Sequence, residues 1–303
     1  METIEIHNLT KDYGSSRGIF GIDLTVKQGE MMGFVGTNGS GKTTTIRSML
    51  GFIKPTSGNA YVNGLESWEN SSEIVKSVGY VPGEIAFPDL ATGTEFLRCQ
   101  AEFLGLKDMT YANELIKKLQ LDPRANLKRM SKGMKQKTAL VCALMNDSPI
   151  LIFDEPTTGL DPLMRLAFMD IIKAEHKKGK TILMSSHMFN EMEDSCDKVA
   201  LIDKGKIIDV ADMNALRNRP QKDFKIEFHE KSDYEKFKQS GYTIIRDQEI
   251  YNQVTVTLPF DKINQLFFDL KDFNVKFITE VKFSLEKYFK QILIEKKENE
   301  NAI

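Results

Sequence analysis

The nine residues GTNGSGKTT, at 36–44, constrain this chain more than any other stretch. They match the spacing G-x-x-x-x-G-K-[ST] and follow the short apolar run MMGFV at 31–35. Residues 42–50 read as a helix stopped by Gly51, so the loop joins a buried strand to a helix N-terminus. Gly36, Gly39 and Gly41 let the backbone wrap closely around an anion. Its amides and the positive end of the helix dipole then face that anion. The whole loop, including Thr37, Asn38, Ser40 and Thr44, is expected to line a nucleotide. Lys42 is placed to reach the β- and γ-phosphates, and the Thr43 hydroxyl to ligate Mg²⁺. The pattern predicts an α/β phosphate-loop fold.

Such a site needs a second, acidic strand end to hold the metal and to activate water. ILIFDE at 150–155 supplies four apolar residues and then two carboxylates. Asp154 is expected to hold Mg²⁺, directly or through water, and Glu155 to polarise the attacking water as general base. Two solvated acids at a strand end are the plainer alternative, and the phosphate loop weighs against it. Further continuous apolar runs, TILMSS at 181–186 and VALI at 199–202, suit strands of a parallel sheet covered on both faces. ETIEI at 2–6 and IDLTV at 22–26 alternate as half-buried strands do. Helical spacing at 95–104, 111–119 and 131–145 predicts a helical subdomain over about 84–146.

A chain of 303 residues has room for two ordinary domains. Polar NRPQKD at 218–223 predicts a boundary, giving one domain over 1–219 and another over 220–303. The second reads as strand 224–229, helix 231–239, strands 242–246 and 251–257, helix 260–270 and strand 274–281, then a helix over 284–295. That βαββαβ order predicts a small ferredoxin-like α+β domain. KKENENAI at 296–303 reads as a frayed end. A net charge of −2 argues against a broad nucleic-acid surface. Cys99, Cys142 and Cys196 form no CxxC pair and read as free thiols of a reducing compartment. METIEIHNLTKDYG lacks the pattern of a signal peptide, and no apolar run approaches the roughly 18 residues of a membrane helix. If the protein serves a membrane, another chain is expected to cross it.

DEPTTGLDP at 154–162, with GTNGSGKTT, SKGMKQK at 131–137 and SSH at 185–187, resembles the ABC ATPase family over residues 2–218. The resemblance implies a phosphate-loop core, a helical subdomain and a dimer that sandwiches two ATP molecules. Tyr13, in KDYG, resembles the aromatic that stacks on adenine. Ser131, Lys132, Gly133 and Met134 resemble the signature that caps the γ-phosphate held by the opposite subunit, with Ser131 also a good helix N-cap. Lys132 stands where the family usually has glycine. Asp161 resembles the loop aspartate that couples the two sites, and His187 the switch histidine at the γ-phosphate. In YVPGE, Gly83 takes the place of a glutamine that touches Mg²⁺ in the family, and Glu84 follows. Either Glu84 acts there through Mg²⁺, or it points away and Gly83 serves as a hinge; the hinge is the favoured expectation.

The tail, ending SLEKYFKQIL at 284–293, resembles the ATPases of ABC-2 type exporters, including bacitracin-resistance, lantibiotic-immunity and peptide-toxin exporters. This implies ATP and Mg²⁺ as cofactors and an ABC-2 type membrane permease as partner. It further implies a homodimer or a pair with a sister ATPase, at the cytoplasmic face of the membrane, with no nucleic acid bound. An importer ATPase and a non-transport ABC ATPase are the alternatives. The DNA-acting kind is disfavoured because only about ninety residues separate Lys42 from Ser131, leaving no place for long coiled-coil arms. The ribosome-acting kind carries two cassettes, and this chain has one phosphate loop.

Overall fold

The protein is described by a computed structural model covering residues 2–282 and 284–301, with side chains to 296. It divides into two compact units, Met1–Met213 with Tyr288–Ile303, and Asn214–Lys287. The first unit begins with β1 (Glu2–Asp12), β2 (Gly18–Lys27), β3 (Met31–Val35), α1 (Lys42–Met49), β4 (Ser57–Val62) and β5 (Leu65–Glu66). It continues with α2 (Ser71–Ser77), β6 (Val78–Val81), α3 (Gly93–Phe103), α4 (Thr110–Lys118) and α5 (Lys132–Leu144). Then follow β7 (Ile150–Asp154), α6 (Pro162–Lys177), β8 (Thr181–Ser186), α7 (Phe189–Glu193), β9 (Lys198–Asp203) and β10 (Lys206–Asp212).

Every residue of β3, β7 and β8 is buried, as uninterrupted apolar runs require of strands covered on both faces. They lie in a six-stranded sheet of order β10-β9-β3-β8-β7-β6, parallel except for the edge strand β10. A second, antiparallel sheet has the order β2-β1-β4-β5. Ile4 and Ile22 from it share one core with Phe34, Ile46, Ile152 and Leu183. The strand order places β8 between β3 and β7, with Val35 opposite Ser186 and Asp154 opposite Ser185. The segments that follow these three strands therefore emerge side by side at one end of the sheet, although they are far apart in sequence.

The three expected helices between residues 84 and 146 are α3, α4 and α5, each within about two residues of the expected start. Thr92 starts α3 by accepting the Glu95 amide at 3.2 Å, while the Glu95 carboxylate accepts the Ala91 amide at 2.9 Å. A buried charged node ties α4 to α6. The Tyr111 hydroxyl donates to Glu175 at 2.7 Å, and Lys180 lies 2.5 Å from the same carboxylate. Lys178 joins at 2.7 Å, and Lys180 also reaches Asp147 at 2.6 Å. Burial alone would raise the Glu175 pKa, but bonds from Lys178, Lys180 and Tyr111 hold it below the usual carboxylate value.

After a short helix α8 (Met213–Arg217), the second unit contains β11 (Gln221–Phe228), α9 (Lys231–Lys238), β12 (Thr243–Gln248), β13 (Gln253–Pro259), α10 (Ile263–Asp269) and β14 (Val275–Glu280). Its antiparallel sheet has the order β12-β13-β11-β14, which is the ferredoxin-like arrangement expected of βαββαβ. Phe224, Ile226 and Phe228, alternate residues of β11, pack with Tyr234 and Phe237 of α9 and Leu266 of α10.

The last helix, α11 (Leu285–Asn301), departs from expectation. From Tyr288 onward it belongs to the first unit and not to the domain expected over 220–303. The Tyr288 hydroxyl donates to Asp209 at 2.8 Å, and the Phe289 ring lies 5.3 Å from that of Phe189. The helix runs through most of the stretch expected to fray, whose Ala302 and Ile303 lie outside the described residues. Edge strand β10 and helix α6 are further elements the sequence reading did not identify.

The node around Glu175 yields a stability prediction. Glu175→Ala leaves the Lys180 ammonium, only 7% exposed, without its buried partner. Because Lys180 keeps Asp147 at 2.6 Å, urea unfolding should show a loss of about 1–3 kcal/mol, below the full cost of a stranded buried charge. Lys178→Ala removes a half-exposed cation and should cost no more than about 1 kcal/mol.

Candidate active site

The phosphate loop leaves β3 at Gly36, where close approach demands glycine. A Cβ there would stand 2.3 Å from the Ile202 carbonyl oxygen. Gly41 caps α1 with φ +111°, a conformation that side chains resist. Thr37, Asn38 and Gly39 are exposed at the turn, while Ser40 is buried. Lys42 is 5% exposed, and its ammonium donates to the Gly36 carbonyl at 2.7 Å and the Thr37 carbonyl at 3.2 Å. Thr43 and Thr44 are half-buried in the first turn of α1.

Asp154 ends β7 fully buried. The Ser185 hydroxyl donates to its Oδ1 at 2.6 Å, and Oδ2 has no hydrogen-bond partner. Ser185 Oγ also accepts the Glu155 amide at 3.0 Å. Glu155 has φ +52°, in the left-handed region. Its carboxylate lies 3.2 Å from the Lys42 ammonium through Oε1 and 2.6 Å from His187 Nδ1 through Oε2. Lys42, Glu155 and His187 thus form one row across the ends of β3, β7 and β8.

The donor set fits Mg²⁺. A buried carboxylate oxygen with no partner is costly unless a cation or water meets it. No group of three or more His, Cys, Asp or Glu forms a metal cage among the described residues. Mg²⁺ needs none, since one or two protein oxygens and substrate phosphates commonly hold it. Asp154 Oδ2 and the Thr43 hydroxyl are oxygen donors of that kind.

Ser131 is the N-cap of α5, accepting the Met134 amide at 3.2 Å, as expected. Lys132 and Gly133 lie against Gly159. A Cβ on Gly133 would meet the Gly159 carbonyl oxygen at 2.8 Å, and one on Gly159 would meet the Lys132 stem at 2.9 Å. Asp161 has a local role absent from the sequence reading: it caps α6 by accepting the Met164 amide at 3.0 Å. Tyr13 is exposed between β1 and β2, with the Lys11 ammonium 5.5 Å from its ring centre. Glu84 is exposed. Gly83 is not among the residues of positive φ, so the backbone freedom invoked for a hinge is not in use there. Two residues went unnoticed in sequence. Ser185 bridges the acids, and Glu191 accepts from Thr157 at 2.9 Å and Ser186 at 3.2 Å. Ser185 had a faint signal in SSH, but only strand register sets it against Asp154.

Residues 19–158 match the family described as ABC transporter. The chain is 32% identical over 301 residues to the bacitracin transport ATP-binding protein BcrA of Bacillus licheniformis, covering 96% of this chain and 97% of that one. It is 33% identical over 221 residues to the linearmycin resistance ATP-binding protein LnrL of Bacillus subtilis, covering 71% of each. A solved ATP binding subunit of an ABC transporter, 29% identical, matches with a TM-score of 0.65 over 72% of this chain and 92% of that one.

The cap at Asp161 can be separated from any role of its charge. Asp161→Ala should lower stability by about 1 kcal/mol, read as a shift in the urea midpoint. Asp161→Asn, an equally good cap, should keep stability; a loss of ATPase activity in that variant then reports the charge alone.

Proposed function

The chain belongs to the ABC transporter family of ATP-binding proteins, and on that premise we propose that it powers export of a drug, an antimicrobial peptide or an amphipathic peptide toxin through a separate ABC-2 type permease. It is an ATP-binding and ATP-hydrolysing exporter subunit. The relative named for bacitracin transport aligns along nearly its whole length, tail included, which supports the exporter branch over an importer. No helix among the described residues is long and apolar enough to cross a membrane. The reading therefore assigns the membrane path to the permease and this chain to its cytoplasmic face. The ATPase works as a dimer, with itself or with a sister chain.

The observation that carries the mechanism is the row Lys42–Glu155–His187 beside the unpartnered Asp154 Oδ2. The loop amides of residues 36–44 cradle the phosphates of ATP, and Tyr13 stacks on the adenine. Asp154 and Thr43 would hold Mg²⁺, which when bound supplies positive charge against the phosphate oxygens. Lys42 cannot serve Glu155 and a γ-phosphate equally. As the phosphate draws the ammonium away, Glu155 loses its strongest cation partner and keeps His187, which orients it. Glu155 then takes a proton from a water as its oxygen bonds the γ-phosphorus. The bond from that phosphorus to the bridging oxygen of ADP breaks. His187 faces the developing phosphate charge. Ser131, Lys132, Gly133 and Met134 of one subunit close over the ATP of the other, and the neighbouring Asp161 loops couple the two sites. ATP contacts both subunits only in the closed dimer, and that differential contact drives closure.

Glu155→Gln should keep ATP affinity and lower turnover about 10²–10⁴-fold. With ATP and Mg²⁺ it should accumulate as a dimer in light scattering. Near-normal turnover would remove Glu155 from the role of base. Co-expressed with its permease, the same variant should abolish ATP-driven uptake of the peptide into inverted vesicles; ATP-driven release of a substrate enclosed together with a substrate-binding protein would point to import instead.

A further inference from the structure

The ladder between β7 and β8 ends where Asp154 stands opposite Ser185. Beyond it, the turn that carries Glu155 and the turn that carries His187 are joined by side chains. The His187 ring is half-exposed, so its place depends on the backbone that carries it and not on surrounding walls. Two residues grip both turns, one from the helix after each strand. Glu191, in α7 after β8, reaches back to the β7 turn. Its Oε2 accepts from the Thr157 hydroxyl at 2.9 Å and from the Ser186 hydroxyl at 3.2 Å. The Ser186 oxygen in turn accepts the Met188 amide at 2.9 Å, which ties together the residues on either side of His187. Arg165, in α6 after β7, crosses the other way. Its Nε donates to the Leu160 carbonyl at 3.0 Å, and its Nη1 lies 3.2 Å from the Met188 sulfur. Thr157, Leu160 and Ser186 are buried. Oε1 of Glu191 is also shut away from solvent and has no hydrogen-bond partner. A bare buried carboxylate oxygen costs free energy, so packing alone does not select this residue.

We infer that Glu191 and Arg165 are positioning residues for ATP hydrolysis: from opposite sides, they hold the turn of Glu155 and the turn of His187 as one body, so that both groups meet the γ-phosphate at a fixed spacing. This rests on the roles of Glu155 and His187 proposed above. Neither clamp residue acts on the nucleotide directly. A shift of about 1 Å between the two turns is enough to cost about 100-fold in rate.

Single-turnover ATP hydrolysis by the full-length protein, with TNP-ATP affinity and melting temperature measured beside it, tests the clamp. Glu191→Ala and Arg165→Ala should each slow hydrolysis about 10–100-fold, as misplaced groups do, with TNP-ATP affinity within about 2-fold of the parent. Glu191→Gln should recover most of the rate, because its amide oxygen still accepts from Thr157 and Ser186. If Glu191→Ala does not fold, Thr157→Val and Thr157→Ser make the same comparison, with serine restoring the rate. Glu155→Gln separates the two levels of the reading. Near-normal turnover in that variant removes the base, and the inference falls with it. If Glu155→Gln is slow, adding Glu191→Ala should slow it no further, because the spacing that Glu191 sets then serves no base. Three results would each overturn the inference while leaving the base in place: effects that multiply in the double variant, an unchanged rate in Glu191→Ala, or parallel losses of rate, TNP-ATP affinity and melting temperature that Glu191→Gln does not restore.

Discussion

The placement of β8 between β3 and β7 is the constraint on which the nucleotide end of this protein depends. Each strand contributes a different kind of group at its end: a loop of amides with Lys42 from β3, carboxylates from β7, and hydroxyls with His187 from β8. None of the three motifs can work from its own segment. Parallel pairing, secured by burial of all three strands on both faces, holds their ends level to within a residue or so. A one-residue slip would exchange the faces to which the side chains point, and would separate Ser185 from Asp154 and Glu155.

Within that frame the charges compete. Glu155 sits in a backbone conformation that costs on the order of 1–3 kcal/mol for a residue other than glycine. Its amide bond to Ser185, its ion pair with Lys42 and its contact with His187 offset that cost. The left-handed turn directs successive carboxylates to different tasks, Asp154 toward the sheet end beside Gly83 and Glu155 across toward Lys42. On the mechanism proposed above, a phosphate arriving at Lys42 weakens one of the interactions that support the turn, and binding is thereby linked to the state of the proposed base, Glu155.

Much of this could be read from the chain because its chemistry is local. The phosphate loop, the DE pair, SSH and the cap at Ser131 are contiguous, and the βαββαβ pattern was enough for the second unit. What escaped depends on register and long-range contact. Ser185 reads as one more hydroxyl in an apolar strand until it is paired with Asp154. Asp161–Pro162 is a good helix start, yet DEPTTGLDP reads first as chemistry, and α6 behind it went unnoticed. Strand β10 is exposed or half-exposed at all but one residue and lacks the apolar run that marks the others. Tyr111, Glu175 and Lys180 carry no mutual signal in sequence at all.

The return of α11 to the first unit bears on the order in which the protein can be completed. Residues 214–287 are an insertion within the ATPase unit and not an appendage to it. During synthesis the amino-terminal residues emerge and fold first. Phe189, two positions beyond His187, must wait for Phe289, and Asp209 for Tyr288. Every nucleotide motif has been made long before those partners appear. A chain released early therefore carries all the proposed site residues but leaves the segment behind His187 without its cover. Helix α11 in this sense marks the point in synthesis at which the segment beyond His187 gains its cover.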